Sequence, residues 1–231
     1  LIPLRTEGLI LSAKSIGTTH ITNSAYRMHP IEWAIGEAGG HLAAFALQAG
    51  VPMREVVRDR TLTRKFQGQL ASYGIPFYWL NDVSHEDPDF EAIQVLTAAG
   101  IMPTENDQSL NFNPQGTVSR AVVAIALVNV LGLELTRPVQ STFRDVSPEY
   151  FAHASIETLF AQGIVRGIGR RRFGPELSAT QKQLAIMLGK AISASPAQFF
   201  AALPRSHQPL NRRELARVLY RVLKMQGDRL S

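Results

Sequence analysis

The chain has 231 residues, 45% of them hydrophobic, which is enough for one or two packed domains and too apolar for a disordered segment. It contains no cysteine, which excludes disulfides, thiolate nucleophiles, zinc ribbons and cysteine-ligated iron–sulfur clusters. The net charge of +5 divides unevenly, into +3 over residues 1–80, −7 over 81–135 and +9 over 136–231.

Leu1-Ile2-Pro3-Leu4 reads like the interior of a longer protein, and the start lacks the basic, apolar and cleavage segments of a signal peptide, so targeting is left open. Leu9 to Ala13 is a short apolar run suited to a buried strand. The segment from Gly17 to Ser24 is rich in hydroxyls and reads as a loop folded around something polar. Pro30 sits in the first turn of a helix that runs to Leu47 and is terminated by Gly50. Gly36, Gly39 and Gly40 lie inside it, each at a cost of about 1 kcal/mol relative to alanine, which predicts a close approach by a backbone or ligand. A second helix is expected from about Met53 to Ser72, with Val56, Val57, Leu62, Phe66 and Leu70 on its apolar face.

The run from Ala13 to Trp33, continued by Gly36-Glu37-Ala38-Gly39-Gly40, resembles the C-terminal part of FAD-dependent oxidoreductases of the glutathione-reductase-like superfamily. The resemblance covers residues 1–75 and implies an α/β fragment of an FAD-binding fold that closes over the flavin. It places His29, Pro30, Ile31 and Glu32 at a helix start facing the ring edge that gains electron density on reduction. Ser24 and Arg27 match positions that approach the cofactor, the guanidinium suiting phosphate oxygens, and Thr18, Thr19 and His20 would line the substrate side. No catalytic residue is assigned, and six scattered histidines offer no metal site. The Gly-x-Gly-x-x-Gly turn that binds pyrophosphate is absent. The chain alone is therefore expected neither to hold FAD tightly nor to transfer hydride, the activity belonging to a longer parent that supplies the N-terminal part of the FAD domain.

After residue 80 a pattern occurs twice. Asp82-Val83-Ser84 is followed eighteen residues later by Gly100-Ile101, and Asp145-Val146-Ser147 by Gly163-Ile164 at the same distance. Each copy then presents an aromatic before proline, Phe112-Asn113-Pro114 and Phe173-Gly174-Pro175, and opens a helix at Ser119 or Thr180. The first helix of each copy should bury Ile93 and Leu96, or Ile156 and Leu159; the second should bury Val118, Val123, Ile125 and Leu127, or Ala179, Leu184, Ile186 and Leu188. The connector between them is two residues shorter in the second copy, so the offset falls from 63 to 61. Thr180 with Gln183, and Asn211 with Glu214, have capping-box spacing, the latter opening a partial third match with Leu215, Val218, Leu219 and Val222. A repeat of this length is a structural unit, so this half is a tandem array.

Phe143-Arg144-Asp145-Val146, the run from Gly163 to Gly169 before Phe173-Gly174-Pro175, and Val118-Ser119-Arg120-Ala121 resemble S-layer homology modules. The resemblance implies a mainly α-helical array that binds an anionic polymer linked to peptidoglycan, and thus the bacterial cell envelope or surface. The helix-start arginine that contributes to the family's polymer-binding grooves is matched by Arg120 and Arg212, while Gln181 replaces it in the second copy. Residues 194–210 have no Asp-Val-Ser start, so a third module is degenerate. The expected organisation is 1–75 for the oxidoreductase segment, 76–135 and 136–193 for two modules, and 194–231 for a partial third. The uneven charge suits an anionic polymer. Nucleic acid is disfavoured, since Arg170-Arg171-Arg172 is the one tight basic cluster and no recognition motif accompanies it. No apolar run approaches the roughly 18 residues of a membrane span. The combined reading is the C-terminal portion of an FAD-dependent oxidoreductase carrying an envelope-binding extension; the alternative is a non-catalytic anchoring or structural module.

Overall fold

Helices dominate the computed structural model, which describes residues 1–106, 108–192 and 207–229 and divides the chain into two units, Leu1–Tyr73 and Gly74–Ser231. The first part of the expected degenerate module, 194–206, lies outside the described residues.

In Leu1–Tyr73 the expected strand is extended backbone without a sheet: the Leu11 N–H donates to the Leu1 carbonyl at 2.8 Å, and Ala13–Ser15 then turns as a short 3₁₀ helix. A strand needs neighbours to satisfy its backbone groups, and a single bond does not make a ladder. The segment expected as a polar loop contains a helix, α1 (His20–Tyr26), because Thr19 and Thr22 cap it reciprocally through side chain and backbone. Helix α2 (His29–Ala49) carries Pro30 in its first turn and stops at Gly50, which is left-handed. Of the three internal glycines, Gly39 has the expected close approach, since a Cβ there would stand 3.0 Å from Ser12 Oγ; Gly36 and Gly40 face open space. The second expected helix is two, α3 (Met53–Arg58) and α4 (Arg60–Ser72). Asp59 divides them, its Oδ1 accepting the N–H groups of Thr61 at 2.6 Å and Leu62 at 2.9 Å, so a side-chain cap replaces the continuing helical bonds. Leu42, Phe45, Ala46 and Val56 form the core, with Leu62 and Phe66 packed against it.

In Gly74–Ser231 each full repeat supplies two helices, α5 (Phe90–Ala98) and α6 (Arg120–Leu131), then α7 (His153–Ala161) and α8 (Gln181–Ala191), and the remnant supplies α9 (Arg212–Arg229). The second helix of one repeat packs against the first helix of another: α6 lies on α7, and α9 lies on α5. The three second helices begin around a ring of backbone bonds. Val118 N–H donates to Leu210 O at 3.1 Å, Leu210 N–H to Ala179 O at 2.8 Å, and Ala179 N–H to Val118 O at 2.8 Å. Each of these residues is buried and immediately precedes a helix cap, so apolar side chains and backbone polarity are satisfied at one point. The remnant thus fills the third place of a pseudo-threefold core. Ile186, expected inside, is 50% exposed, whereas its repeat partner Ile125 is half-buried. The reason is that α7 covers α6, and among the described residues no helix covers α8 in that way.

Candidate functional site

The recurring motifs are parts of one device. Asp82 accepts the N–H groups of Phe112 at 2.8 Å and Asn113 at 2.6 Å through its two oxygens. Asp145 does the same for Phe173 and Gly174, both at 2.8 Å. Burial raises the Asp145 pKa, but these N–H donors and Arg172 outweigh it and leave the carboxyl below its ordinary value. The residue before proline is left-handed in both copies, φ 56° at Asn113 and 70° at Gly174, which explains the use of asparagine or glycine there.

The helix-start arginines close the device. Arg120 is 3% exposed; its Nε donates to Phe173 O at 2.9 Å, an Nη to Arg166 O at 3.4 Å, and its guanidinium stacks 4.5 Å from the Phe173 ring centroid. Arg212 repeats the arrangement on repeat 1, donating to Phe112 O and Pro103 O and stacking 4.5 Å from the Phe112 ring. Beside them, the N–H groups of Arg120 and Ala121 go to Leu177 O and Pro175 O, and those of Arg212 and Arg213 to Gly116 O and Pro114 O. The free amides of both helix starts are thereby used within the fold. Burial lowers the basicity of both guanidinium groups, opposed by Asp145 for Arg120 and by Glu105 and Asp82 for Arg212. Both arginines therefore brace neighbouring repeats together. The sequence does not contain a third Phe-x-Pro for Gln181 to clasp, and Gln181 instead donates to Glu214 Oε1 at 2.8 Å, tying α8 to α9.

Beside Arg120 runs a groove of about 310 Å³, walled by the segment Ile164 to Ile168 on one side and by Gln183, Ile186, Met187 and Lys190 of α8 on the other. Arg166 and Lys190 stand exposed at its edge. Much of the remaining charge asymmetry is consumed internally. Arg213 grips Asp87 with both Nη atoms at 2.7 and 2.6 Å, Arg217 grips Asp89 at 2.8 and 2.7 Å, and Tyr220 and Lys224 reach Glu91. These residues follow one face of α9 and latch it to the start of α5. The bond from Arg217 leads the causes that hold the Asp89 carboxyl below its ordinary value, against burial. The acidic first repeat thus has a protein partner in the basic remnant. In Gly74–Ser231 most of the exposed cations without a carboxylate partner among the described residues lie in repeat 2: Arg137, Arg144, Arg166, Arg170, Arg171, Lys182 and Lys190, with Arg221 on α9.

The residues expected around a flavin are exposed apart from Glu32. Thr18 donates to Asn23, Thr19 caps α1, His20 and Ser24 lie on that helix, and Arg27 ends it. His29, Pro30 and Ile31 open α2. Glu32 is 7% exposed; one oxygen lies 3.2 Å from His29 Nδ1, and the other, 3.7 Å from Lys14 Nζ, has no hydrogen-bond partner. The unsatisfied Glu32 oxygen is an acceptor that would suit a ribose hydroxyl, and the exposed Arg27 guanidinium and the α2 start would suit phosphate oxygens. Trp33, on the next turn of α2, is 80% exposed.

Comparison with known proteins finds matches in both units of the chain. Residues 1–70 match the model of the FAD dependent oxidoreductase family, and residues 80–121 and 142–185 each match that of the S-layer homology domain. A curated relative, the Surface-layer 125 kDa protein of Lysinibacillus sphaericus, is 34% identical over 98 residues, which are 42% of this chain and 8% of that protein. The matching stretch therefore spans a small part of the relative's length. No described helix is long and apolar enough to cross a membrane. S-layer homology domains bind cell-wall polymers and point to the cell surface. The chain thus joins a segment similar to the FAD dependent oxidoreductase family to two segments similar to the S-layer homology domain.

Proposed function

We propose that the repeats hold the protein at the bacterial cell surface by binding an anionic, peptidoglycan-linked polymer along the groove beside Arg120. The observation that carries this reading is the surplus of exposed cations in repeat 2, two of which, Arg166 and Lys190, stand at the edge of a groove whose walls are partly apolar, as a chain of charged sugars requires. Arg120 supports the groove by fixing the Arg166 and Phe173 backbone, so its contribution to binding is positional. The test is co-sedimentation of the 231-residue chain with purified sacculi, intact or stripped of secondary polymer, across a salt series. Polymer-dependent sedimentation that weakens with salt is the expected result. A second reading, a rigid appendage without a glycan ligand, draws on the internal use of Arg120 and Arg212; sedimentation absent at every salt concentration would favour it.

The first unit contributes one wall of a flavin site in a longer FAD-dependent oxidoreductase. Arg27 would hold phosphate, and Glu32 with the α2 start would meet polar edges of the cofactor. FAD, when bound, supplies the redox chemistry. In a protein that includes the pyrophosphate-binding turn, Arg27→Ala should lower the flavin retained on dialysis, read from its absorbance; unchanged retention would remove Arg27 from the site.

A further inference from the structure

The connector of repeat 2 ends in a two-residue turn that breaks its own local rules. Gly169 and Arg172 pair across it, with Arg172 N–H donating to Gly169 O at 3.0 Å and Ile168 N–H to Arg172 O at 2.7 Å. The two central residues, Arg170 and Arg171, have φ 51° and 54°. Positive φ at both positions defines a type I′ turn, for which Asn-Gly or Gly-Gly is the unstrained choice, because a Cβ is crowded in the left-handed region. The backbone is also pinned from below. A Cβ on Gly167 would lie 2.5 Å from Arg172 O, and Arg144 N–H donates to Arg171 O at 2.8 Å. Two arginines are thus held where glycine or asparagine would be more stable.

The backbone bonds that hold the turn do not depend on arginine side chains. Both side chains are exposed, neither has a carboxylate partner among the described residues, and the one bond they make is from Arg171 Nε to Thr142 O at 3.3 Å. Arg172, by contrast, lies 3.7 Å from Asp145 and has a structural partner. The turn also follows the groove in the chain: the wall from Ile164 to Ile168 is continuous with Gly169, the first residue of the turn. Strained residues whose exposed side chains have little to hold them in the fold, next in the chain to a binding surface, are where function is expected.

We propose that the Gly169–Arg172 turn is an anion-docking point, at which Arg170 and Arg171 hold phosphate or carboxylate groups of the polymer that occupies the groove. This rests on the anchoring function proposed above. The test compares the full chain with its Arg170→Asn/Arg171→Gly variant and with an Arg170→Lys/Arg171→Lys control. Asn-Gly should leave the melting temperature equal or higher, because it relieves the turn, while sedimentation with intact sacculi weakens about fivefold at low salt and loses part of its salt dependence, as expected for removal of two exposed ion pairs. The lysine control should keep most of the binding. The arm with stripped sacculi separates the sources of charge: loss confined to intact sacculi assigns the anions to the secondary polymer, and equal loss on stripped sacculi assigns them to peptide-stem carboxylates. A stable Asn-Gly variant that binds as tightly as the unaltered chain would overturn the docking point and leave the anchoring function standing. An unaltered chain that does not sediment would overturn both.

Discussion

Repeat 1 and repeat 2 are clamped by the same atoms and differ at their tips. In both, an aspartate holds the Phe-x-Pro backbone and an arginine from another repeat stacks on the phenylalanine. The tip of repeat 1 is acidic and folds onto itself: Glu105 accepts from Asn113 at 2.9 Å, and its own N–H donates to Asn111 O at 3.0 Å. Repeat 2 is two residues shorter there, and the shortening leaves a turn with two arginines at its apex. The clamp is what any repeat needs to join the threefold core. The tip is free of that constraint and can carry specificity.

The clamp can be broken most severely at Arg120. Arg120→Ala should cost about 3 kcal/mol in urea unfolding, because it strands the buried Phe173 carbonyl oxygen, gives up a longer bond to Arg166 O and removes a stacked cation from Phe173. Arg212→Ala should cost less, about 2 kcal/mol, since the residue is only half-buried and its bond to Pro103 O is exposed. Equal losses at the two sites would show that burial does not distinguish the clasps. Gln181→Ala tests the exception: it gives up one amide bond to the Glu214 carboxylate, so about 1.5 kcal/mol is expected in the same assay.

Acid should separate the repeats from the first unit. The Asp89 and Asp145 carboxyls titrate lower in the folded state than in the unfolded chain. They add stability above the unfolded pKa of about 3.9, and this contribution is withdrawn as pH falls through their lowered folded values. Hydrogen exchange between pH 5 and pH 2.5 should therefore show the repeats losing protection, with Asp89→Asn already weakened at pH 5 and flatter in its response. A variant that keeps the full pH dependence would assign it to other carboxyls. The smallest effect should be at Ile186. Ile186→Thr should change the urea midpoint little, as its side chain is half in solvent, whereas Ile125→Thr should be measurably destabilising.

Residue spacing determined much of this molecule. The paired Asp-Val-Ser and Phe-x-Pro signals, the helix starts at Ser119, Thr180 and Asn211, and the capping boxes at Thr180 and Asn211 are local: hydroxyls and amides cap the backbone beside them, and glycine or asparagine tolerates a left-handed turn wherever the chain lies. The match of Ala13–Trp33 to a flavoprotein segment was legible for the same reason. Local reading failed where two local signals competed, as at Asp59, whose cap split an apparently continuous helix, and at Thr19, where hydroxyls taken for a loop capped α1.

Tertiary structure decided the rest, because it depends on which distant groups meet. Spacing alone cannot tell an arginine that reaches solvent from one that turns inward, and Arg120 and Arg212 turn onto carbonyls 53 and 100 residues away. Nor can it show that Asp87, Asp89 and Glu91 neutralise a face of α9, so that most of the repeats' basic surplus open to a ligand lies in repeat 2. The closing ring through Val118, Ala179 and Leu210 joins three apolar residues that carry no motif of their own. The sequence by itself determined the units; long-range backbone pairing and the desolvation of charges determined how they close and which cations remain free.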